Sequence, residues 1–307
     1  MIKIKGMHKS IYPFLVFLLL FCCCSKDYFN AQTPSYLCIE SLDLETFNFE
    51  GSDSQKITDA WVTMDGIFLG VFELPCTIPV LSQGFHDFTI FPGIKANGIS
   101  ATRSIYPFYE ICDLYLFNGQ TYASSSSNSV ELFLDSTVTV QARTKYADEV
   151  NFLFIEDFED AGAVFEATSN SDTTMISNVV DSLVFEGGVS GVIYLDDTND
   201  FFELISSEFT PISSMYNQTM LEMNYRCDHS FKLGVAVRDV SSGLINKFES
   251  IQLNPTEDWN KIYIHMTNQI NLGNSSDEFG VFLGAVKNSS QETATFYFDN
   301  IKWLHDQ

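Results

Sequence analysis

The sequence predicts an all-β protein made of two β-sandwich domains. Helical periodicity of apolar residues is nearly absent, whereas short apolar or alternating runs rich in Val, Ile, Phe, Tyr and Thr recur between clusters of Gly, Asn, Asp and Ser. Apolar residues make up 45% of the 307 residues and phenylalanine alone contributes 28, which is ample material for packed cores and argues against disorder. The length favours two domains.

The first 23 residues have the composition of a secretory signal peptide. Lys3, Lys5 and Lys9 precede a mainly apolar run over residues 11–21, and no acidic residue is present. A helix that spans a bilayer needs about 20 apolar residues, so this run is too short to span one. We therefore expect residues 1–23 to be a leader that is removed.

Three adjacent cysteines follow the apolar run, in "LLLFCCCSKDYF". This pattern resembles the lipobox of bacterial lipoproteins, whose first mature residue is an acylated cysteine. The resemblance implies lipidation of Cys24, or alternatively of Cys23, which has Leu20 three residues before it where Cys24 has Phe21. Two acyl chains hold a protein on a bilayer more firmly than one. A metal site is the poorer interpretation, because adjacent cysteines cannot easily surround one tetrahedral ion and no CxxC accompanies them.

The residues after the cysteines, "SKDYF", resemble the export signal that sends lipoproteins of Bacteroidota to the outside of the outer membrane. The resemblance implies a protein that is anchored in the outer-membrane lipid bilayer by its acyl chains and faces the cell exterior. Residues 24–34 would form the lipidated tether between the anchor and the first strand.

The acidic composition restricts the partners. The chain has 40 acidic and 16 basic residues, a net charge of −24, and loss of the three leader lysines lowers this charge to −27. Nucleic acids and anionic lipids are bound through Lys and Arg, so we expect neither as a partner. Divalent cations are compatible with such a charge.

Four cysteines remain after the leader: Cys38, Cys76, Cys112 and Cys227. An exported protein can oxidise its thiols, and three of the four lie in the first half of the chain. The sequence therefore allows one disulfide among Cys38, Cys76 and Cys112 without identifying the pair, and it equally allows free buried thiols.

The first predicted sandwich covers residues 35–147. In "DAWVTMDGIFLG", Ala60, Val62 and Met64 alternate toward the core, and Asp65-Gly66 is a two-residue hairpin turn. The segment from Asp59 to Ile94 resembles PEGA-type modules, which are small immunoglobulin-like sandwiches of envelope proteins. The resemblance is carried by Met64-Asp65-Gly66, Gly70, Pro79, Gly84 and His86.

The second predicted sandwich covers residues 148–307. It opens with "FLFIEDFEDAG" and closes with "ATFYFDNIKWL", and between them "SGVIYL", "TMLEMNYRC", "FKLGVAVRD", "WNKIYIHM" and "FGVFLGAV" each predict a strand. The features resemble the jelly roll of carbohydrate-binding modules and related galactose-binding-like domains, with a terminal Phe-Asp-Asn-Ile strand at Phe298 to Ile301 and Trp259 opening a late strand. Jelly rolls host many functions, so the resemblance implies the fold more firmly than a ligand.

Aromatic residues are the candidates for sugar binding, because jelly rolls of this kind stack Trp or Tyr on pyranose rings. Trp61, Trp259 and Trp303 are interpreted as core residues from their strand positions. Tyr194, Tyr216 and Tyr225 are candidates for a concave binding face, although core packing is the simpler interpretation for them as well. The ligand-binding residues therefore stay unknown at this stage.

A structural calcium ion is a further candidate, because several jelly rolls hold Ca²⁺ between their first and last strands through oxygen ligands. Asp157 or Glu159 could meet Asp299 in this way. The alternative is that these carboxylates cap turns or face solvent. No other cofactor is expected.

No catalytic motif is present. The chain lacks GxSxG, HExxH and a glycine-rich phosphate loop, so we do not expect an enzyme. Three short stretches resemble the Asp-Ser/Thr-apolar signal for O-glycosylation in Bacteroidota, which implies modification at Ser136, Thr173 or Ser182.

Two functions follow as hypotheses. In the first, the protein is a non-catalytic accessory subunit of an outer-membrane complex for secretion, barrel assembly or nutrient uptake, with a barrel protein or other lipoproteins as partners. Exposed apolar surface would mark such an interface. In the alternative, the jelly roll binds a glycan at the cell surface, which requires a groove with at least two exposed aromatic rings among polar groups.

Overall fold

A computed structural model describes residues 32–47, 49–124, 128–160, 162, 164–212, 218–288, 290 and 292–306. The predicted leader and both candidate lipidation sites, Cys23 and Cys24, lie outside the described residues. Within those residues, no helix is long and apolar enough to cross a bilayer.

Among the described residues, the first sandwich contains ten strands. Their bounds are β1 (Ser35–Glu45), β2 (Asp59–Met64), β3 (Ile67–Glu73), β4 (Cys76–Val80), β5 (Gly84–Lys95), β6 (Arg103–Ile105), β7 (Asp113–Phe117), β8 (Tyr122–Ser124), β9 (Ser129–Leu132) and β10 (Thr137–Lys145). One sheet has the order β4-β1-β10-β7-β8, and the other has the order β3-β2-β5-β6 with β9 also paired to β5.

The predicted hairpin is confirmed as β2 and β3. Asp65 and Gly66 both take left-handed backbone conformations, with φ of 50° and 78°, as a two-residue hairpin turn requires. Ala60 and Val62 are fully buried, so the alternation that the sequence shows does direct these side chains into the core.

The part of the second sandwich that the structure describes contains twelve strands and one short α-helix. Their bounds are β11 (Val150–Glu156), β12 (Phe165–Ala167), β13 (Ile176–Asn178), β14 (Ser190–Leu195), β15 (Phe201–Ser206), β16 (Thr210–Pro211), β17 (Thr219–Cys227), β18 (Phe231–Arg238), β19 (Ile245–Leu253), β20 (Thr256–His265), α1 (Thr267–Ile270), β21 (Glu278–Val286) and β22 (Ala294–Asp306).

The strands of the second sandwich form two sheets that face each other. One has the order β13-β14-β22-β17-β20 with β11 also paired to β22, and the other has the order β12-β15-β21-β18-β19 with β16 paired to β21. The core between them is filled by side chains such as Phe202, Leu233, Val281, Phe296 and Trp303, all nearly inaccessible. The predicted all-β fold with two sandwiches is confirmed.

The outer face of the β22 sheet is partly covered by the first sandwich. Met220, Tyr263 and Leu304 of the second sandwich join the apolar cluster of the first. Tyr263 also accepts a hydrogen bond from the backbone N–H of Lys56 at 2.9 Å. The two sandwiches therefore share a continuous buried interface, and only the uncovered part of this sheet face can meet a ligand.

The four cysteines described are free thiols. Cys76 pairs with Ile39 and Cys38 pairs with Thr77 across β1 and β4, so the two neighbouring thiols point to opposite faces of the sheet. Burial raises the pKa of the Cys76 thiol to about 11.

Candidate functional site

The uncovered part of the β22 sheet carries a group of large polar and aromatic side chains. Tyr297 lies opposite Arg226 on β17 and opposite Val192 on β14, and residues directly opposite each other project from the same face. Tyr194 pairs with Thr295, two residues before Tyr297, so it shares this face too.

Trp259 completes the group. The pairing of β17 with β20 is irregular between Tyr225 and Cys227, whose partners are Asn260 and Thr256, so the start of β20 bulges opposite Arg226. The indole of Trp259 lies 6.3 Å from the ring of Tyr297 and 5.6 Å from that of Phe185, measured between ring centroids. We call Tyr194, Arg226, Trp259 and Tyr297 the aromatic face.

The aromatic face is accessible. Tyr194 is 48% exposed, whereas Arg226, Trp259 and Tyr297 are half-buried. The indole N–H of Trp259 is itself buried and makes no hydrogen bond among the described residues. A buried donor without a partner is costly, so this nitrogen is an unsatisfied polar group beside the aromatic face.

A groove of about 510 Å³ borders the aromatic face. Its polar lining includes Arg226, Asp228, Thr256, Glu257 and Tyr297. Asp228 is exposed and accepts a hydrogen bond from the Thr295 backbone N–H at 2.8 Å, which fixes its carboxylate beside the groove. The groove thus combines the ring of Tyr297, one guanidinium and two carboxylates, which suit a ligand with apolar faces and many hydroxyl groups.

Tyr297 is held as a neutral phenol. Burial, together with interaction with the Tyr194 hydroxyl, raises the pKa of Tyr297 to about 12. The Tyr297 hydroxyl therefore carries its proton at neutral pH and can donate a hydrogen bond to a ligand.

The sequence identified only part of this face. Tyr194 lies on it, Tyr225 is instead buried in the core, and Tyr216 lies outside the described residues. Trp303 is in the core as predicted, but the core interpretation is wrong for Trp61 and Trp259, which are half-buried on outer faces.

Arg226 and Tyr297 were not singled out from the sequence. The alternation of "TFYFDN" contains a signal for Tyr297, because Phe296 and Phe298 on either side of it are fully buried. A residue between two core positions of a strand must point outward.

Two of the predicted calcium ligands line one depression of the surface. Asp157 and Glu159 line this depression of about 420 Å³ with Asp53 and Glu186, and the buried Asp299 carboxylate accepts the Glu186 backbone N–H at 3.4 Å. The Glu159 carboxylate accepts the backbone N–H of Gly188 at 2.7 Å and of Val189 at 2.9 Å. Among the described residues, no group of three or more His, Cys, Asp and Glu is arranged to hold a metal ion. The calcium site stays a prediction.

The candidate glycosylation sites lie in loops. Ser136 is exposed between β9 and β10, and Ser182 is exposed in a 3-10 turn over Asp181–Leu183. Thr173 is half-buried, and its carbonyl accepts a hydrogen bond from the Ser171 hydroxyl. Modification at these positions stays a prediction.

Comparison with known proteins shows likeness in structure only. No protein family and no curated protein matches the sequence. Among solved structures, a carbohydrate-binding module described in work on promiscuous specificity in the β-sandwich superfamily is 12% identical with a TM-score of 0.38, covering 72% of this chain and 92% of that one.

Two further modules are similar in the same way. The family 11 carbohydrate-binding module of Clostridium thermocellum, in complex with a mixed-linked tetrasaccharide, is 12% identical with a TM-score of 0.38, and the match covers 51% of this chain and 96% of that one. A xylan-binding domain of family 22 is 11% identical with a TM-score of 0.34, and the match covers 50% and 93%. Likeness at this level says nothing about which residues of this chain bind a ligand.

Proposed function

We propose that the chain is a non-catalytic glycan-binding protein whose second sandwich holds a saccharide on the aromatic face. The observation that supports this proposal is the grouping of Tyr194, Trp259 and Tyr297 with Arg226 beside one groove. Rings offer flat apolar surfaces to the C–H faces of a sugar, and the guanidinium and carboxylates bond its hydroxyls.

The covering of the sheet also supports this function. The first sandwich buries Glu222, Tyr263 and Leu304 on the same face, and the aromatic face begins where that cover ends. The first sandwich therefore limits the uncovered face on one side, while all the described residues that line the groove belong to the second sandwich.

The test is binding of the full mature chain to a panel of polysaccharides by affinity electrophoresis, followed by calorimetry with the best ligand. Replacing Trp259 or Tyr297 by Ala is expected to weaken binding about tenfold, as loss of an aromatic anchor does. Trp61→Ala is the matched control, because Trp61 is a half-buried tryptophan of the first sandwich. Equal binding by all three variants, or binding of no polysaccharide, would contradict the proposal.

The location belongs to the same proposal. The acyl anchor at Cys24 or Cys23 would hold the protein on the outer face of the outer membrane, where extracellular glycans are within reach. Palmitate labelling of the native protein tests this, and a Cys23→Ala/Cys24→Ala variant that still labels and still fractionates with membranes would contradict it.

An accessory subunit of an outer-membrane complex is the second candidate, and one surface favours it. Large apolar side chains lie 48–71% exposed at one end of the first sandwich: Ile67, Phe68, Leu81, Phe85, Phe133 and Leu134. We call these six residues the apolar end. Exposed apolar groups gathered in one place mark a contact surface.

The chain reaches its first strand at the apolar end. Pro34 accepts a hydrogen bond from the Asp135 backbone N–H at 2.9 Å, and the Ser35 hydroxyl bonds the Ser82 carbonyl at 2.6 Å. The predicted lipidated Cys24 lies ten residues before Pro34, within about 35 Å even if fully extended. The apolar end would thus face the membrane and any barrel protein in it.

A Phe85→Ser/Phe133→Ser variant tests the second candidate. Stoichiometric co-purification of the native chain with a barrel protein from solubilised outer membranes, lost in this variant, is the expected result. Phe117→Ser/Val240→Ser, which removes two exposed apolar side chains outside the apolar end, is the control. A chain that always purifies alone would exclude this function and leave glycan binding untouched.

A further inference from the structure

A second cavity, of about 250 Å³, lies between the two sandwiches. Lys56, Lys95 and Asn97 line it from the first sandwich, and Thr256 and Lys261 line it from the second. Pockets for drug-sized ligands measure about 300–1,000 Å³, so this one suits a single small group. Polar side chains of both sandwiches therefore face one another across this cavity.

The charge of this cavity is opposite to that of the whole chain. Of the described residues that line it, three are lysines and none is acidic, although the chain has 40 acidic and only 16 basic residues. Lys95 and Lys261 are paired with carboxylates that do not line the cavity. Among the described residues, the Lys56 ammonium bonds only the neutral Asn260 side chain, so it keeps a positive charge that favours an anion. We call it the lysine cavity.

The lysines keep donors for a ligand. Each ammonium carries three donors. Lys95 bonds Glu73 at 3.0 Å, Lys261 bonds Glu222 at 3.0 Å, and Lys56 bonds the Asn260 side chain. The Lys261 ammonium is buried, whereas Lys56 and Lys95 are accessible and keep further donors for an anionic oxygen.

The surroundings of the lysines also favour an anion. The hydroxyl of Thr256 is buried and makes no hydrogen bond among the described residues. Burial first, and then repulsion from Lys95, lower the pKa of the Lys56 ammonium. An anion bound between these two lysines would relieve the repulsion.

We propose that the lysine cavity binds an anionic group of the carboxylate, sulfate or phosphate type, and that its source is an acidic sugar residue of the glycan held on the aromatic face. The assignment of the source rests on the proposed function. Pro255 and Thr256 line both the lysine cavity and the groove beside the aromatic face, so the two spaces are neighbours across the start of β20. The protein would therefore prefer uronate-bearing or sulfated glycans to neutral ones.

The same chemistry could come from a free anion, and the experiment separates the two sources. The melting temperature of the full mature chain is measured at constant ionic strength with glucuronate, galacturonate, glucose or inorganic phosphate. Calorimetry then measures the affinity for the uronate that gives the larger shift in melting temperature. The uronates are expected to raise the melting temperature, whereas glucose at the same concentration is expected to leave it unchanged.

Variants locate the effect. Lys56→Gln/Lys95→Gln is expected to bind the uronate at least about tenfold more weakly, because two charge-assisted hydrogen bonds are lost. Lys56→Arg/Lys95→Arg keeps the charges and is expected to keep the binding. Lys232→Gln/Lys247→Gln is the matched control, since these two lysines lie on the β18 and β19 sheet and do not line the cavity.

The outcomes are distinct from those of the glycan test. Stabilisation by phosphate but by neither uronate would contradict the proposal that the anion comes from an acidic sugar. If no anion raises the melting temperature, or if the glutamine variant responds as the native chain does, the anion site itself is contradicted. Trp259→Ala is expected to leave the response to the monomeric uronate in the lysine cavity intact. If the glycan proposal fails, the polysaccharide panel will show no binding, whereas the melting-temperature shifts caused by the monomeric uronates will remain.

Discussion

At the scale of single residues, Glu222 is a fully buried carboxylate at the contact between the sandwiches. It accepts hydrogen bonds from Tyr106 at 2.7 Å and from Tyr146 at 3.1 Å, and its other partner is Lys261 at 3.0 Å. Two of these residues come from the first sandwich and one from the second. A buried charge persists only when it is paired and hydrogen-bonded in this manner.

Replacing Glu222 by Gln is expected to lower the free energy of unfolding by roughly 3 kcal/mol, because Lys261 then keeps a buried charge with no counter-ion. Urea denaturation of the full chain measures this change. Glu249→Gln removes a carboxylate that pairs with exposed Lys232, and it is expected to cost less than about 1 kcal/mol. Equal costs for the two variants would mean that the buried network contributes little.

Asp299 gives the stability a defined dependence on pH. It is 1% exposed, and burial raises the pKa of its carboxyl from 3.8 to about 7. The folded protein therefore holds the neutral form over a range in which the unfolded chain ionises. The contribution of Asp299 to the free energy of unfolding is full below about pH 4 and is lost as the pH rises to about 7.

Asp299→Asn is expected to remove this part of the pH dependence. Relative to the native chain, the variant should gain up to about 4 kcal/mol in free energy of unfolding between pH 4 and pH 8, since the native protein alone loses stability there. Denaturation curves at several pH values measure the difference. Asp181→Asn, on the exposed turn, controls for the loss of one carboxyl, and a constant offset for Asp299→Asn would refute the expectation.

At the scale of elements, the pairing of β18 with β19 depends on a glycine. The register of this pair shifts between Leu233 and Gly234. A Cβ atom at Gly234 would lie 2.1 Å from the Phe248 carbonyl oxygen and 2.7 Å from the ring of Phe282. Because one neighbour is backbone, the contact cannot be relieved by a side-chain rotation.

Gly234→Ala is therefore expected to lower the free energy of unfolding by about 1–3 kcal/mol, the usual cost of overpacking. Gly188→Ala is the matched control, because its Cβ would meet only the Glu159 side chain at 3.7 Å, an ordinary contact. Thermal unfolding of both variants measures the effect. Equal melting temperatures would mean that the two strands move apart at no cost.

The strands and turns were more predictable from the sequence than the question of which side chains face the core and which face outward. The hairpin of β2 and β3 follows from local signals, namely the Asp65-Gly66 turn and the alternation before it. Period-two patterning also predicts the long strand β22, which contains Trp303. These signals are short-range, so they can be recognised without knowledge of the tertiary structure.

The candidate site was less predictable because it depends on pairing between distant strands. Trp259 reads as a core residue from its strand position, but the bulge opposite Arg226 leaves it on the outer face. The lysine cavity joins Lys56 to Lys261, which are separated by two hundred residues of chain. Only the docking of the two sandwiches brings such residues together.

At the scale of the whole molecule, the sandwiches share too much buried structure to behave independently. Met220, Tyr263 and Leu304 extend the apolar cluster of the first sandwich. The backbone N–H of His265 also donates to the Asn97 side chain at 3.0 Å. Separating the two would expose these apolar groups and the Glu222 network to water at once, which costs far more than opening a polar contact between domains.

The full chain is therefore expected to unfold in a single transition, with equal calorimetric and van't Hoff enthalpies. The tryptophans offer a second test, because Trp61 belongs to the first sandwich while Trp259 and Trp303 belong to the second. In Trp61→Phe, fluorescence follows the second sandwich alone and circular dichroism follows both, so the two midpoints should coincide. Because Glu222→Gln weakens the contact between the sandwiches, it should draw those midpoints apart. Two separated transitions in the native chain would mean that the shared interface does not couple the sandwiches, and the lysine cavity would then open before either sandwich melts.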